Sequence, residues 1–391
     1  MNNSKSQPSI LWVQVLALAG LQAAITLTWL VYNLYLPKLL TQFGFPASLA
    51  VGLLVLENAL SVVLEPLMGG LSDQAIRWLG SRFPFISAGV ILASTLFIAI
   101  PCIVTFIPPT EVIRGILPLA LVAWALAMTV FRSPAISLLG RYSKIPKELP
   151  LAASLLTLAG GIVGSFRGIA NTFILSLGPI FAFSLASFVL LGAAFILRFF
   201  HPSEIPENTE VIKIPIPKLG LILVTGFSIA WGSRLLMDAI GKTIKTQLHT
   251  NDITVIMLGI SLTLAVAALP AGFFAVKIGN LRAMLAGIFT TILSIILMLN
   301  IGANFLIILL TLAGFSLIMN GAFPFVLELM PQRWAGLGIG IYFGGFSLAM
   351  SLFGFIFPPT ITSLIAGISA ALAFLLASVC IMVSGKYSSE N

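Results

Sequence analysis

The sequence contains very little charge. Asp, Glu, Lys and Arg make up only 8% of its 391 residues, whereas roughly a quarter of the residues are charged in ordinary soluble domains. It also has only two cysteines and two histidines, and their positions match neither a disulfide framework nor a metal-ligand spacing. These deficits exclude a soluble globular domain, a disulfide-stabilised scaffold and a structural metal fold.

Apolar residues dominate instead. Hydrophobic residues make up 59% of the chain and its mean hydropathy is +1.11. Apolar runs long enough to cross a hydrocarbon core of about 30 Å as helices recur along the whole length. They do not alternate between apolar and polar positions, as the strands of a membrane β-barrel do. We therefore predict an all-α integral membrane protein, embedded in a lipid bilayer.

The apolar runs predict about twelve transmembrane helices. The longest polar connection follows the sixth of them, and it divides the chain into pseudo-symmetric six-helix bundles at 1–200 and 218–391 with a cytoplasmic linker at 201–217. The predicted spans are 10–36, 47–71, 85–107, 112–139, 150–175, 178–200, 218–243, 252–276, 282–299, 304–328, 335–356 and 360–384.

A weak internal repeat supports this division. "GGLSDQAIRWLGSR" at 69–82 follows span two, and "AGFFAVKIGNLR" at 271–282 follows span eight. Gly160, Gly164 and Gly168 recur every four residues in span five, which gives a helix face that a neighbouring backbone can approach closely. Paired halves of this kind are typical of secondary transporters that alternate access around a central site.

The distribution of Lys and Arg predicts the orientation. The basic residues lie in the connections between the spans, so the net charge of +8 does not indicate a nucleic-acid partner. Basic residues favour the cytoplasmic side, and an inside amino terminus places thirteen there against four outside. The thirteen are Lys5, Arg77, Arg82, Arg141, Lys144, Lys147, Arg198, Lys213, Lys218, Lys277, Arg282, Arg333 and Lys386, and the four are Lys38, Arg114, Lys242 and Lys245. We expect a multi-pass protein of the plasma (inner) membrane with both termini in the cytoplasm.

Several segments resemble a known family. The twelve spans and the first inner loop, "GGLSDQAIRWLGSR", look like the major facilitator superfamily. The extension "GSRFPFI", together with "VYNLYLPKLL", "FRSPAISLLG" and "GLGIGIYFGGFSLA", is similar to the sucrose transporters and the glycoside-pentoside-hexuronide cation symporters. This resemblance implies cation-coupled transport of a sugar or glycoside. The chain departs from that group at Arg141, where an acidic residue is usual, and at Ser81, within a usual Gly-Arg-Arg triplet.

Six ionisable residues fall within the predicted spans, and they are Glu57, Glu65, Arg132, Arg167, Arg234 and Asp238. Each costs about 2.5 to 3.5 kcal/mol to insert, so such residues usually have partners and a function. Helix depth, at about 1.5 Å per residue, predicts the pairs Glu65 with Arg132 and Glu57 with Arg167. The spacing of four residues predicts that Arg234 pairs with Asp238. The alternative for these pairs is a structural contact that holds the helices in register without a role in turnover.

We predict a substrate and coupling site near the middle of the membrane, where this architecture places its ligands. A carboxylate there can carry a proton, so Glu57 is the coupling candidate. The predicted site consists of Glu57, Asn58, Arg167, Asn171, Trp29, Asn33, Trp231, Arg234, Asp238 and Asn320. The tryptophans would alternatively serve only in packing.

A second set is predicted to act in gating. We expect Asp73 either to cap the amino terminus of a facing helix or to pair with Arg77 or Arg82. Ala275 stands at the corresponding position of the repeat, so this latch is predicted in the first half only. The full set is Gly70, Asp73, Arg77, Gly80, Arg82, Glu65, Arg132, Glu328 and Arg333.

The sequence lacks the motifs of an enzyme. It has no Walker phosphate loop, no metal-ligand spacing and no cofactor motif, so we predict no catalysis, metal or cofactor. Two functions remain. The first is a monomeric, proton-coupled symporter for a small polar solute such as a sugar or glycoside. The second is a delivery or assembly factor for pigment or another hydrophobic ligand, like the group associated with photosynthetic light-harvesting assembly, whose inner-loop signatures are similar.

Overall fold

The computed structural model describes residues 10–108, 110–143, 145–202, 216–357 and 360–388, without the side chains of 171–172 and 387–388. These residues form helices joined by short connections, and no strand longer than an isolated bridge occurs among them. The helices are α1 (Trp12–Gln42), α2 (Ser48–Leu79), α3 (Phe83–Phe106), α4 (Glu111–Ser137), α5 (Leu139–Tyr142), α6 (Leu149–Ser165), α7 (Ala170–Ser176), α8 (Pro179–Phe200), α9 (Ile216–Leu248), α10 (Thr254–Ile278), α11 (Asn280–Ile301), α12 (Phe305–Leu329), α13 (Ala335–Ile356) and α14 (Ser363–Ser388).

The prediction of twelve spans is confirmed. Among the described residues, twelve helical segments are long and apolar enough to cross a membrane, with α4 and α5 together forming the fourth of them. Most of the predicted linker, 203–215, lies outside the described residues. The chain is therefore an all-α protein with the architecture of a multi-pass membrane protein.

The helices form two groups related by an internal two-fold pattern. In the first group α1 packs on α6 and α8, and α3 packs on α4 and α8; in the second, α9 packs on α13 and α14, and α12 packs on α10 and α11. The groups meet mainly where α2 contacts α13 and where α6 contacts α10. Each of these contacts joins the second span of one group to the fifth span of the other, as the sequence repeat implies.

The fifth span is not the continuous helix that the sequence predicts over 150–175. α6 ends at Ser165, a turn occupies 166–169, and the short helix α7 begins at Ala170. Gly164 precedes the break and Gly168 lies within it, and glycine is among the weakest helix formers. The break places Arg167 on a turn inside the span.

The two ends of the molecule, called the latch end and the vestibule end, hold different connections between the helices. The latch end holds the turn 80–82 between α2 and α3, and the vestibule end holds the connections 43–47 and 249–253. At the latch end, Gly80 ends α2 in the left-handed conformation with φ of 71°, which glycine adopts without a steric penalty. Ser81 then accepts a hydrogen bond from Phe83 N at 3.1 Å, and Pro84 lies in the first turn of α3, where its missing N–H costs nothing.

Candidate functional site

A central cavity lies between the two helix groups. It consists of three adjoining pockets that share lining residues and are called its lobes: a polar lobe of about 380 Å³, an apolar lobe of about 390 Å³ and an outer lobe of about 830 Å³. Phe346 lines both the polar and the apolar lobe, and Arg167 lines both the polar and the outer lobe. The outer lobe extends to Asn251 and Ile253 in the connection between α9 and α10, so the cavity reaches the vestibule end.

The polar lobe brings together six of the ten predicted substrate and coupling residues, from three helices and the turn. They and their neighbours are Trp29 and Asn33 from α1, Glu57, Asn58 and Ser61 from α2, Arg132 from α4, Arg167 from the 166–169 turn and Arg234 from α9. The Nε1 atom of Trp29 has no hydrogen-bond partner among the described residues. The amide nitrogens of Asn33 and Asn58 donate to carbonyl oxygens one turn earlier in their own helices, each at 2.7 Å.

Glu57 is buried and is held by Tyr32. The Tyr32 hydroxyl donates a hydrogen bond to Glu57 Oε1, while Oε2 has no hydrogen-bond partner among the described residues. The predicted ion pair with Arg167 is therefore wrong for this conformation, because among the described groups the carboxylate is engaged by α1 and not by the fifth span. The ring of Tyr32 packs between Trp29 and Trp124, with centroid distances of 5.7 and 4.3 Å, and this packing fixes the hydroxyl.

Arg167 and Arg234 both line the polar lobe, and neither has an acidic partner among the described residues. They lie close enough for their charges to repel. The predicted pair of Arg234 with Asp238 is also wrong, because Asp238 Oδ2 pairs with Lys242 Nζ at 2.7 Å, one turn further along α9. Arg234 instead lies over the ring of Phe353, 5.3 Å from its centroid.

The third predicted pair is present. Arg132 Nη2 lies 2.5 Å from Glu65 Oε1, and the Ser133 hydroxyl donates to Glu65 Oε2. Glu65 is fully buried, and it does not line the cavity. The guanidinium of Arg132 also lies over the ring of Phe343 in α13, 4.1 Å from its centroid, so this cluster joins the first helix group to the second.

Asp73 makes both of the contacts that the sequence suggests. Its Oδ1 accepts from Arg82 Nη2 at 2.5 Å and Nε at 3.1 Å. The carboxylate also accepts from the first N–H groups of α13, with Gly336 N at 3.0 Å and Leu337 N at 2.7 Å. A carboxylate satisfies the free N–H groups of a helix start and interacts favourably with its dipole. Asp73 and its immediate contacts thus form a latch between the two helix groups.

Glycine allows α2 and α13 to approach closely beside the latch. A Cβ at Gly69 would overlap the carbonyl oxygen of Gly336, and a Cβ at Gly340 would overlap that of Glu65. Gly70 differs, because a Cβ there would lie 3.5 Å from Leu337 Cδ1, an ordinary contact. Gly69 is therefore required by the backbone contact and Gly70 is not.

The related contact between α6 and α10 closes the latch end by other means. A Cβ at Gly272 would lie 3.0 Å from the carbonyl oxygen of Pro150, and Asn320 Nδ2 in α12 donates to that same oxygen at 2.9 Å. Asn320 is thus placed at the interface between the groups and not in the wall of the cavity, contrary to its predicted role. The start of α6 has no side-chain cap, and Ala275 is buried, so within the described part of the chain the carboxylate latch occurs in the first half only.

The remaining predicted residues lie apart from the cavity or at its edge. Trp231 is in an aromatic cluster, 5.2 Å from Phe227 and 5.5 Å from Phe357 between ring centroids, and it does not line the polar lobe. The side chain of Asn171 lies outside the described part of the chain. Arg77 is exposed in the last turn of α2, and Asp73 pairs with Arg82 instead.

Glu328 and Arg333 lie at the latch end beyond the Asp73 latch. The carboxyl group of Glu328 lies near the side chain of Asn280. Glu328 also lines a separate cavity of about 240 Å³, together with residues of the connection before α6. Arg333 lies 6.0 Å from the centroid of the Trp334 ring. Their positions fit contacts between the helix ends and not contacts with a ligand in the central cavity.

Basic residues also line the way into the cavity from the vestibule end. Lys242, Lys245 and Arg167 line the outer lobe with Asp238, and Lys242 Nζ also donates to the carbonyl oxygen of Ile361 at 2.6 Å. In the connection beside this lobe, Thr254 N donates to Asp252 Oδ1 at 3.0 Å, and this hydrogen bond lowers the pKa of the Asp252 carboxyl.

Tyr32 and Ser133 were missed by sequence reasoning. Both hold a carboxylate of the predicted set. Tyr32 lies three residues after Trp29, so the two share a helix face, and this spacing is the signal that could have identified it. Ser133 gives no comparable signal, because it only follows Arg132 in the sequence. No cluster of His, Cys, Asp and Glu suited to a metal ion occurs among the described residues.

Comparisons with solved structures identify the fold. A bacterial homologue of the iron transporter ferroportin, in an outward-facing state, has a TM-score of 0.76 at 15% identity, over 96% of this chain and 99% of that one. The human organic anion transporter MFSD10 (TETRAN) has a TM-score of 0.68 at 13% identity, over 96% of this chain and 100% of that one. The major facilitator superfamily transporter FucP, in the outward conformation, has a TM-score of 0.71 at 11% identity, over 95% of this chain and 98% of that one.

The chain therefore has the major facilitator fold. No protein-family model matches the sequence, and no curated protein is significantly similar to it. At these identities the likeness defines the fold alone, and the similar structures belong to transporters of different cargo.

Proposed function

We propose that this protein is a secondary transporter that moves a small polar solute across the membrane by alternating access. The observation that carries the proposal is the central cavity, which reaches the vestibule end while helix contacts close the latch end. Such a cavity between two pseudo-symmetric groups is the layout of a carrier that exposes one site to each side in turn.

In this proposal the first and second helix groups are the moving units. The first comprises residues 1–200 and the second 218–391, joined by 201–217. The contacts between α2 and α13 and between α6 and α10 separate and re-form as the groups rock. The latch end faces the cytoplasm, as the distribution of basic residues predicts, and a single copy contains the complete pathway.

Proton coupling is assigned to Glu57. It lines the cavity, and its buried Oε2 has no hydrogen-bond partner among the described residues, which leaves this oxygen able to carry a proton. Glu65 is unsuited to this role because Arg132 and Ser133 engage both of its oxygens. Solute binding beside Glu57 would disturb the hydrogen bond that Tyr32 donates to it and so link the solute to the proton.

Transport into proteoliposomes tests the proposal. Labelled neutral sugars, glycosides and small organic anions are offered under an imposed pH gradient, and accumulation of one of them above its external concentration is expected. Glu57→Gln should abolish that accumulation yet retain exchange of the solute across a preloaded membrane, because exchange requires no net proton movement. Uphill uptake by Glu57→Gln at the wild-type rate would remove Glu57 from the mechanism.

A delivery factor for a hydrophobic ligand is the second candidate, favoured by one observation. An almost wholly apolar cavity of about 340 Å³ lies between α1, α7 and α8, lined by Val31, Phe166, Phe173 and Leu185 among others. Pigment that co-purifies with the protein, together with no flux of any offered solute, would support this function over transport.

A further inference from the structure

The charges around the central cavity are not balanced. The sequence offers three acids and three bases within the spans, but in the structure each of these three acids has a partner other than Arg167 or Arg234. Glu65 is paired with Arg132, Asp238 with Lys242, and Glu57 is held by the neutral hydroxyl of Tyr32. Two arginines therefore remain in the cavity wall without an acidic partner among the described residues.

Such an arrangement is unfavourable unless a ligand completes it. A charged side chain costs about 2.5 to 3.5 kcal/mol within a membrane span, and here two like charges also repel. A folded core would avoid this cost by placing an acid between them, whereas a binding site leaves the position for its ligand. Arg presents a planar fork of N–H donors that matches the two oxygens of a carboxylate or phosphate.

The path from the vestibule end has the same sign. Asp238 and Lys242 line the outer lobe and pair with each other; the other charged residues that line this lobe are Lys245 and Arg167. Arg234 lines the polar lobe, which adjoins it. The excess of positive charge along this path attracts solutes of the opposite sign and raises their rate of entry. Trp29 also lines this lobe, and its buried Nε1 donor has no hydrogen-bond partner among the described residues.

From these observations we infer that the transported solute carries an oxyanion, a carboxylate or a phosphate ester, which Arg167 and Arg234 bind together. This inference rests on the proposed transport function and narrows it from polar solutes in general to small organic anions. Glu57 lies in the same lobe and repels the anion when ionised, so a proton taken up by Glu57 and the anion favour each other's binding. The solute and proton would then move together.

Thermal unfolding of the purified protein in detergent tests the inference. The probes are matched pairs, succinate with succinamide and glycerol 3-phosphate with glycerol, which separate the two oxyanion classes from their neutral counterparts. At least one anion should raise the unfolding temperature while its neutral counterpart does not. No stabilisation by either anion, or equal stabilisation by a neutral counterpart, would overturn the inference.

Substitution of the two arginines supplies the decisive comparison. Arg167→Gln and Arg234→Gln should each weaken binding of the stabilising anion about tenfold or more, the size expected for a charge-assisted hydrogen bond. Arg282→Gln, at an exposed position in α11, is the matched control and should bind as the wild type does. Wild-type affinity in both cavity variants would contradict the inference.

The same variants have a ligand-free readout. Without an anion, Arg167→Gln and Arg234→Gln should unfold at the wild-type temperature or higher, because each removes a charge repulsion. A large loss of stability would instead mark the arginines as structural. Arg-dependent anion binding without any flux would uphold the anion site formed by Arg167 and Arg234 but defeat the transport proposal. Uptake of a neutral solute that is insensitive to both arginines would support transport and overturn the anion inference.

Discussion

At the scale of single residues, the first helix group separates two buried carboxylates into different roles. Glu57 and Glu65 lie two turns apart on α2, and both are almost fully buried. Glu65 is closed off by an arginine and a serine, whereas Glu57 lines the cavity and keeps one oxygen without a partner. Their partners on neighbouring helices, and not their own positions in the sequence, create this difference.

The Glu65–Arg132 pair should behave as a structural contact. Glu65→Gln leaves Arg132 without its counter-charge, and breaking a buried pair in this way costs roughly 3–5 kcal/mol. The effect here should be smaller because the Arg132 side chain is 18% exposed. A double-mutant cycle of thermal unfolding temperatures with Glu65→Gln and Arg132→Gln measures the coupling. If the effects of the two single variants simply add, the pair contributes nothing to the link between the groups.

At the scale of helices, the close contact of α2 with α13 depends on one of two adjacent glycines. Gly69→Ala should push the helices apart at the latch end, because its Cβ would meet the Gly336 carbonyl oxygen. Gly70→Ala should have little effect, since its Cβ reaches only an ordinary contact. The two variants are therefore a matched pair in size and position.

Reactivity of a buried cysteine measures the separation. Ser154 in α6 is fully buried beside Gly272, so Ser154→Cys, made after Cys102 and Cys380 are replaced by alanine, reports opening of the latch end. Maleimide labelling of this cysteine should accelerate severalfold with Gly69→Ala and remain unchanged with Gly70→Ala. Equal rates in both backgrounds would show that the glycine contact does not control the latch end.

Much of the helical architecture could be predicted from the sequence, because the apolar runs are long enough to cross a bilayer and contain few polar residues. Each apolar run must cross the bilayer as a helix, so span number follows directly. Depth along a helix also predicted the partners Glu65 and Arg132. Depth does not give the rotation of a helix about its axis, however, and this is why Tyr32 rather than Arg167 engages Glu57.

The break in the fifth span shows a second limit. The stretch 150–175 reads as one apolar run, because Gly164, Arg167 and Gly168 interrupt its pattern only weakly. The contact of α6 with α10 and the turn at 166–169 depend on packing against the other half of the chain. Likewise, Asn320 reads as a polar residue available to a ligand, and only the tertiary structure shows that it binds the Pro150 carbonyl.

At the scale of the whole molecule, the central claim is that opening at one end accompanies closure at the other. The contacts at the latch end include a charged latch, Asp73 with Arg82 and the start of α13. Asp73→Asn keeps the size of the side chain but removes its charge, which weakens each of these hydrogen bonds. The variant should therefore shift the population towards opening at the latch end, with less effect on ligand affinity than on cycling.

Paired cysteine reporters test this claim most directly. Ser154→Cys reports the latch end, and Ser261→Cys, in the wall shared by the apolar and outer lobes, reports the vestibule end. The account predicts that Asp73→Asn raises the labelling rate of the first reporter and lowers that of the second in parallel. A rise at Ser154→Cys with unchanged or faster labelling at Ser261→Cys would mean that the latch merely loosens the fold, and it would contradict alternating access.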